Sequence, residues 1–179
     1  MVIRPMQIHR HIEKKIKTDY FFIEGTIDVD SDYFIDLIKK GFEEESNNNY
    51  KTNVGGKMTS WKYLNKNINF LRILNKLIHY LDSNVDLHGY ELSEAWGFCL
   101  GPHEKTKYHA HAPHMWSGVL YLNECNTPLK FEKIDKSVMP AKGKFAIFSS
   151  FLRHGTDINE TDQTKFGIAF NIRYTQDYT

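Results

Sequence analysis

The sequence predicts an α+β fold, in which a double-sheet jelly-roll is built from the C-terminal half and N-terminal helices pack outside one of its sheets. Three observations predict it. Two segments with helical period precede residue 88; from Gly89 onward short apolar alternations are separated by Gly, Pro and Asn; and residues 164–174 alternate without a break.

The first segment, YFFIEGTIDV over Tyr20–Val29, is rich in aromatic and β-branched residues and reads as a strand interrupted at Gly25. A helix follows. Asp30 or Ser31 can cap it, and Phe34, Leu37, Ile38 and Phe42 recur at spacings of three and four on one face. Glu43 to Lys57 then breaks all periodicity and is long for a connection inside a compact domain, a length typical of lids and of unstructured loops. The second helix is the clearest element: Asn67 or Asn69 caps it, and Ile68, Leu71, Leu74, Leu77, Ile78 and Leu81 form its stripe. Expected strands are Leu92–Leu100, Lys107–Ala110, Ser117–Asn123, Leu129–Glu132, Lys144–Ser149 and Thr164–Tyr174.

With 179 residues, 41% of them hydrophobic, the chain carries apolar material for one ordinary core, so one domain is expected over 1–179: a helical support region with a possible lid (1–88) and the roll (89–179). Lys plus Arg number 23 against 22 for Asp plus Glu, a balance with no broad positive field to draw in nucleic acid. No apolar run approaches membrane-spanning length. Cys99 and Cys125 form no CxxC pair and read as reduced thiols; with no signal-peptide pattern at the N-terminus, a cytoplasmic location is expected. The sequon at Asn159 would matter only in a secreted protein.

Three of the nine histidines fall within YHAHAPHMWSG. On an extended segment His109 and His111 project from the same face and can present two imidazoles to one point, while His114 lies beyond Pro113. A third ligand has to come from elsewhere, and His154, after the apolar strand of FAIFSSFLRHGT, is the candidate. Imidazole suits iron, zinc, copper or nickel, and three protein ligands leave positions open for chemistry. The same spacing is also compatible with two partly buried histidines bonded to backbone, or with a surface pair. His9 and His11 share it within a charged terminal segment, and these two, like His79, His88 and His103, are read as having no site role.

Along TKFGIAFNIRY one face carries Phe166, Ile168, Phe170 and Ile172, and reads as core. The other carries Lys165, Gly167, Ala169, Asn171 and Arg173: two cations among small residues. A lysine projecting into a barrel beside Gly167 and Ala169 would call for a buried carboxylate, which a diacid ligand can supply; a solvated polar face is the alternative.

Taken together, AWGF, HAHAPHMWSGVLYLN, FAIFSSFLRHGT and KFGIAFNIR, in that order, resemble the Fe(II)- and 2-oxoglutarate-dependent oxygenases, particularly their prolyl-hydroxylase-like branch with its bacterial and phage relatives. The resemblance covers roughly Glu94 to Arg173. It implies a double-stranded β-helix of cupin type, with His109 and His154 as metal ligands. Lys165, eleven residues after His154, matches the cation that binds the far carboxylate of 2-oxoglutarate, and Tyr121 matches a tyrosine that often bonds the same group. Arg173, further down the strand, is the second choice of cation. The departure is His111, which stands where the family has Asp or Glu. A neutral ligand there would leave more positive charge on the iron. Three outcomes stay open: His111 ligates, it yields its place to water or an anion, or the three histidines favour zinc.

The resemblance implies consumption of 2-oxoglutarate and O2 with release of succinate and CO2, and hydroxylation of a primary substrate that the residues do not identify, a peptide or protein side chain or a small metabolite. Asn47 to Trp61 and Trp116 are candidates for a lid over it. Two rival readings are a cupin-like metalloenzyme without 2-oxoglutarate, and a non-catalytic roll that binds a partner or sugar.

Overall fold

A computed structural model of the chain describes residues 19–44, 52–82 and 89–175, with the backbone alone at 80–82. The order of elements is β1 (Phe22–Thr26), α1 (Ser31–Glu44), β2 (Lys57–Met58), α2 (Ile68–Asp82), β3 (Tyr90–Leu100), β4 (Trp116–Tyr121), β5 (Leu129–Phe131), β6 (Ser137–Val138), β7 (Lys144–Ser149), β8 (His154–Gly155) and β9 (Lys165–Tyr174). Helices first and strands afterwards is the order expected from the change of period at Gly89.

The strands form a six-stranded antiparallel sheet, β1-β7-β4-β9-β3-β2, facing a three-stranded sheet, β6-β5-β8. Two cores result, one on each face of the large sheet. On the outer face Phe34, Ile38, Phe70, Leu74, Leu77 and Ile78 of the helices meet Leu120, Ile147, Ile168, Phe170 and Ile172. On the inner face Trp96, Phe98, Val119, Tyr121 and Phe148 meet Leu129, Phe131 and Val138 of the small sheet. The double-sheet roll with helices outside is therefore the observed fold.

Local signals explain most boundaries. Asp30 accepts the amide of Tyr33 at 3.1 Å and Asn67 that of Phe70 at 2.9 Å, so of the paired candidates these two cap α1 and α2. Gly97 lets α1 approach: a Cβ there would lie 2.2 Å from Ile38 Cγ1.

Several expectations need correction. Ile68 is 60% exposed, and the buried stripe of α2 runs through Phe70, Ile73, Leu74, Leu77 and Ile78, because the helix begins one residue before the face turns inward. The side chain of Leu81 lies outside the described residues, as do His9, His11 and His88. Lys107–Ala110 is no strand; its ladder is a single bridge, His109 to His154. Gly25 does not interrupt β1 but pairs with Phe145. Glu43 and Glu44 still belong to α1, and 52–58 is tied to the roll by Gly55 N–H to Lys105 O, Lys107 N–H to Asn53 O and the β2–β3 pairing. A Cβ at Gly56 would sit 2.1 Å from Cys99 O, so this close approach requires glycine. Residues 45–51 of the expected lid lie outside the described set. Trp116 is no lid residue: it is 4% exposed, in the outer core against Phe21.

Asn159 of the sequon is buried. Its side chain accepts from Thr127 and Thr161 and donates to Gly101 O and Gln163 O, a knot that ties loops at the rim of the roll. Both cysteines are free thiols. Among the described residues no helix is long and apolar enough to cross a membrane.

Candidate metal centre and cosubstrate pocket

His109, His111 and His154 meet inside the roll, with one ring nitrogen from each lying within 4.8 Å of the others. Two stretches of chain bring them together. The segment 109–111 runs antiparallel to β8, exchanging His109 N–H to His154 O (3.0 Å) and His154 N–H to His109 O (2.9 Å), and His111 N–H reaches Ser150 O at 2.8 Å. Ring centroids are 4.6–5.2 Å apart. The turn over 112–114, with a cis peptide before Pro113, carries His114 away from the cluster to the Glu94 carboxylate, 3.5 Å off. His79 and His103 are exposed and are not members of the cluster.

Backbone carbonyls orient two of the rings. His109 Nδ1 lies 2.7 Å from Lys107 O and His154 Nδ1 lies 2.8 Å from Leu152 O, so each donates from Nδ1 and leaves the Nε2 lone pair free for a cation. Burial keeps the rings neutral. Desolvation, reinforced by neighbouring histidines, pushes His154 down to about 4 and His111 down to about 2, and burial also lowers His109. Neutral imidazoles are the form that binds a metal.

The three rings border a cavity of about 60 Å³. Leu100, Tyr121, Thr156, Lys165 and Ala169 also line it. Lys165 is 1% exposed, donates to Thr127 O at 2.9 Å and has its ammonium 5.7 Å from the centre of the Tyr121 ring. Among the described residues no carboxylate pairs with it, and desolvation pulls it down to about 8. A buried cation without a counter-ion is costly unless a ligand brings the negative charge. Gly167 serves a different end from the one its size suggests: the Phe98 ring lies against it, so that Ala169 rather than Gly167 leaves room in the cavity.

Arg173 is not in this site. It lies exposed near the end of β9, where it stands opposite Glu91 in the β3 ladder and pairs with its carboxylate. On the opposite side of the triad a second opening is lined by Asn53, Trp61, Glu94, Trp96, His114 and Asn171. Sequence reasoning had no role for Glu94 or Asn171. Asn171 does stand on the small-residue face of the last strand, and Glu94 alternates with Trp96 and Phe98 along β3; those were the available signals.

No family model matches the sequence, and neither does any curated protein. Solved structures do match. The viral collagen prolyl hydroxylase of Paramecium Bursaria Chlorella virus-1, in its 2OG complex, superposes with a TM-score of 0.65 at 16% identity over 87% of this chain and 96% of that one. A Pseudomonas putida prolyl-4-hydroxylase gives 0.64 at 14% identity over 86% and 92%. This chain has the fold of the 2-oxoglutarate oxygenases. HygX from Streptomyces hygroscopicus, with nickel and 2-oxoglutarate bound, shares that fold at a TM-score of 0.63 and 11% identity, over 88% of this chain and 83% of its own. The donor set here suits such a centre: neutral imidazoles for a transition metal, and a lone buried ammonium in the same cavity for a dianion.

Proposed function

We propose that this chain is an Fe(II)- and 2-oxoglutarate-dependent oxygenase that hydroxylates a peptide or protein side chain, or a small metabolite, with release of succinate and CO2. One observation carries the reading: His109, His111 and His154 share a cavity with Lys165, a buried ammonium that lacks any carboxylate partner among the described residues.

His109, His111 and His154 would gather round one iron, and Lys165, with the Tyr121 ring beside it, would receive the far carboxylate of the cosubstrate. When bound, iron and 2-oxoglutarate supply the oxidising chemistry. The chain's own part is to orient His109 and His154 through backbone carbonyls, to neutralise the cosubstrate at Lys165, and to keep the inner cavity dry with Trp96, Phe98, Leu129 and Phe148. The opening beside Trp61 and Trp96 is where a primary substrate would approach. A peptide is the preferred class because the matching structures include prolyl hydroxylases. Free thiols at Cys99 and Cys125 suit action in the cytoplasm.

The test is an anaerobic titration with Fe(II) followed by 2-oxoglutarate, monitored by the visible charge-transfer band of the chelate, and then succinate measured in air. The band and succinate should both appear, and Lys165→Ala should lose the band. A metal-loaded protein whose affinity for 2-oxoglutarate is untouched by Lys165→Ala would point instead to a cupin-like metalloenzyme without this cosubstrate.

A further inference from the structure

The three histidines are not wired alike. His109 and His154 both donate from Nδ1 to backbone carbonyls, which frees Nε2. His111 Nδ1 faces an amide instead, Asn171 Nδ2 at 3.4 Å. That amide cannot be turned at will, because it is held on both sides in a row across three strands. Ser117 of β4 donates its hydroxyl to Asn171 Oδ1 at 2.8 Å, and Asn171 Nδ2 donates to Glu94 Oε2 of β3 at 2.9 Å. An ionised carboxylate only accepts, so Glu94 fixes which end of the amide is N–H.

The β3–β9 register puts Glu94 there. The β3–β9 pairing shifts between Leu92 and Glu94, so that Leu92 pairs with Ile172 but Glu94 pairs with Asn171. From Glu94 onward simple alternation holds the carboxylate on the inner face with Trp96 and Phe98, and the bulge is what lets Leu92, two residues earlier, join the outer, helix-covered core. His114 also lies on Glu94, at 3.5 Å.

Asn171 therefore offers an N–H to His111 Nδ1, and a neutral ring that accepts there carries its proton on Nε2. In the metal-free protein that N–H has His109 Nε2 as its acceptor, 3.1 Å away; when a metal takes the His109 lone pair, the N–H is left for another acceptor beside the metal. From this geometry we propose that His111 is a hydrogen-bond donor at the edge of the metal rather than its third ligand, and that Glu94, acting through Asn171, is the positioning residue that makes it so. The position left by the missing carboxylate then falls to a ligand from solution that can accept a hydrogen bond, water in the simplest case. The inference rests on the metal reading above and assigns the three rings unequal roles within it.

Long-range ¹H–¹⁵N correlation of ¹⁵N-histidine-labelled, metal-free protein reads the tautomers directly. His109 and His154 should carry the proton on Nδ1 and His111 on Nε2; an Nδ1–H tautomer at His111 overturns the proposal. In titrations with Co(II), His111→Ala should bind within about threefold of the parent, whereas His109→Ala and His154→Ala should lose a hundredfold or more. A hundredfold loss in His111→Ala would likewise overturn it. The double variant Glu94→Gln with Asn171→Asp keeps shape and charge but reverses the row, since the new carboxylate at 171 accepts from both neighbours. It should switch His111 to Nδ1–H and tighten Co(II) binding about tenfold, and an unchanged tautomer counts against the role of Glu94. A parent protein that takes up no Co(II) sinks the metal reading, an outcome separate from the tautomer result.

Discussion

The two faces of the large sheet are made by the same strands yet obey different rules. On the outer face Ile168, Phe170 and Ile172 of β9 meet the helices, and their burial is accounted for by removal from water. On the inner face the same strand places Lys165 and Asn171, both 1% exposed, beside Ser117 and the histidines. Burying these groups opposes folding unless each has a partner. Asn171 has its partners in the fold; Lys165 has only a carbonyl and lacks a counter-charge. The outer face is thus explained by stability, while on the inner face the lysine is left with a charge that the proposed cosubstrate would neutralise.

Variants that treat the faces separately should break that contrast if it is wrong. The largest effect on folding belongs to the outer face: Phe70→Ala, fully buried against Phe170, should cost about 3–5 kcal/mol in urea unfolding and leave Co(II) affinity of the folded protein unchanged. His154→Ala should do the reverse. It leaves a folded protein whose Co(II) affinity, by calorimetry, falls by at least the roughly 100-fold that loss of a mere outer partner reaches at most. Lys165→Met should weaken 2-oxoglutarate binding by about 10–100-fold, as expected for a lost charged hydrogen bond, with unfolding free energy equal to or above the parent's. If instead Lys165→Met unfolds the chain, the lysine is structural and the contrast fails.

Lys165 also sets a pH dependence. Its folded value is lowered to about 8 from the ordinary 10.5, so between these limits the unfolded chain holds the extra proton. In the ligand-free protein this group therefore makes stability rise with pH across that window. Binding of the cosubstrate needs the charged form, and its affinity should weaken as pH rises through about 8, in equilibrium titrations at fixed ionic strength. The smallest effect is at Ile68, the stripe residue that faces water: Ile68→Ser should change stability by no more than about 0.5 kcal/mol.

Much of this was legible along the chain, wherever the signal was local. Helical period announced α1 and α2, and alternation announced β9 with its apolar and small-residue faces, because side-chain direction follows directly from backbone period. The convergence of His109, His111 and His154 could be expected from the His-x-His spacing and from the apolar strand that leads to His154, whereas the small residues beside Lys165 left its burial open against a solvated polar face. The cap residues, the short strands β2, β6 and β8, and the outward face of Ile68 were less legible, since a two-residue strand or one helical step leaves little pattern to read.

By itself, the sequence determined the α+β order, the apolar face of β9, and which imidazoles and which lysine were available for chemistry. Only the tertiary structure decided that Trp116 belongs to the outer core, that Arg173 leaves the site for Glu91, and that Glu94 reaches Asn171 from 77 residues away. The reason is that alternation along β3 gives Glu94 its face, shared with Trp96 and Phe98, but which residue stands opposite it depends on the register between two strands far apart in sequence, and neither strand alone contains that register.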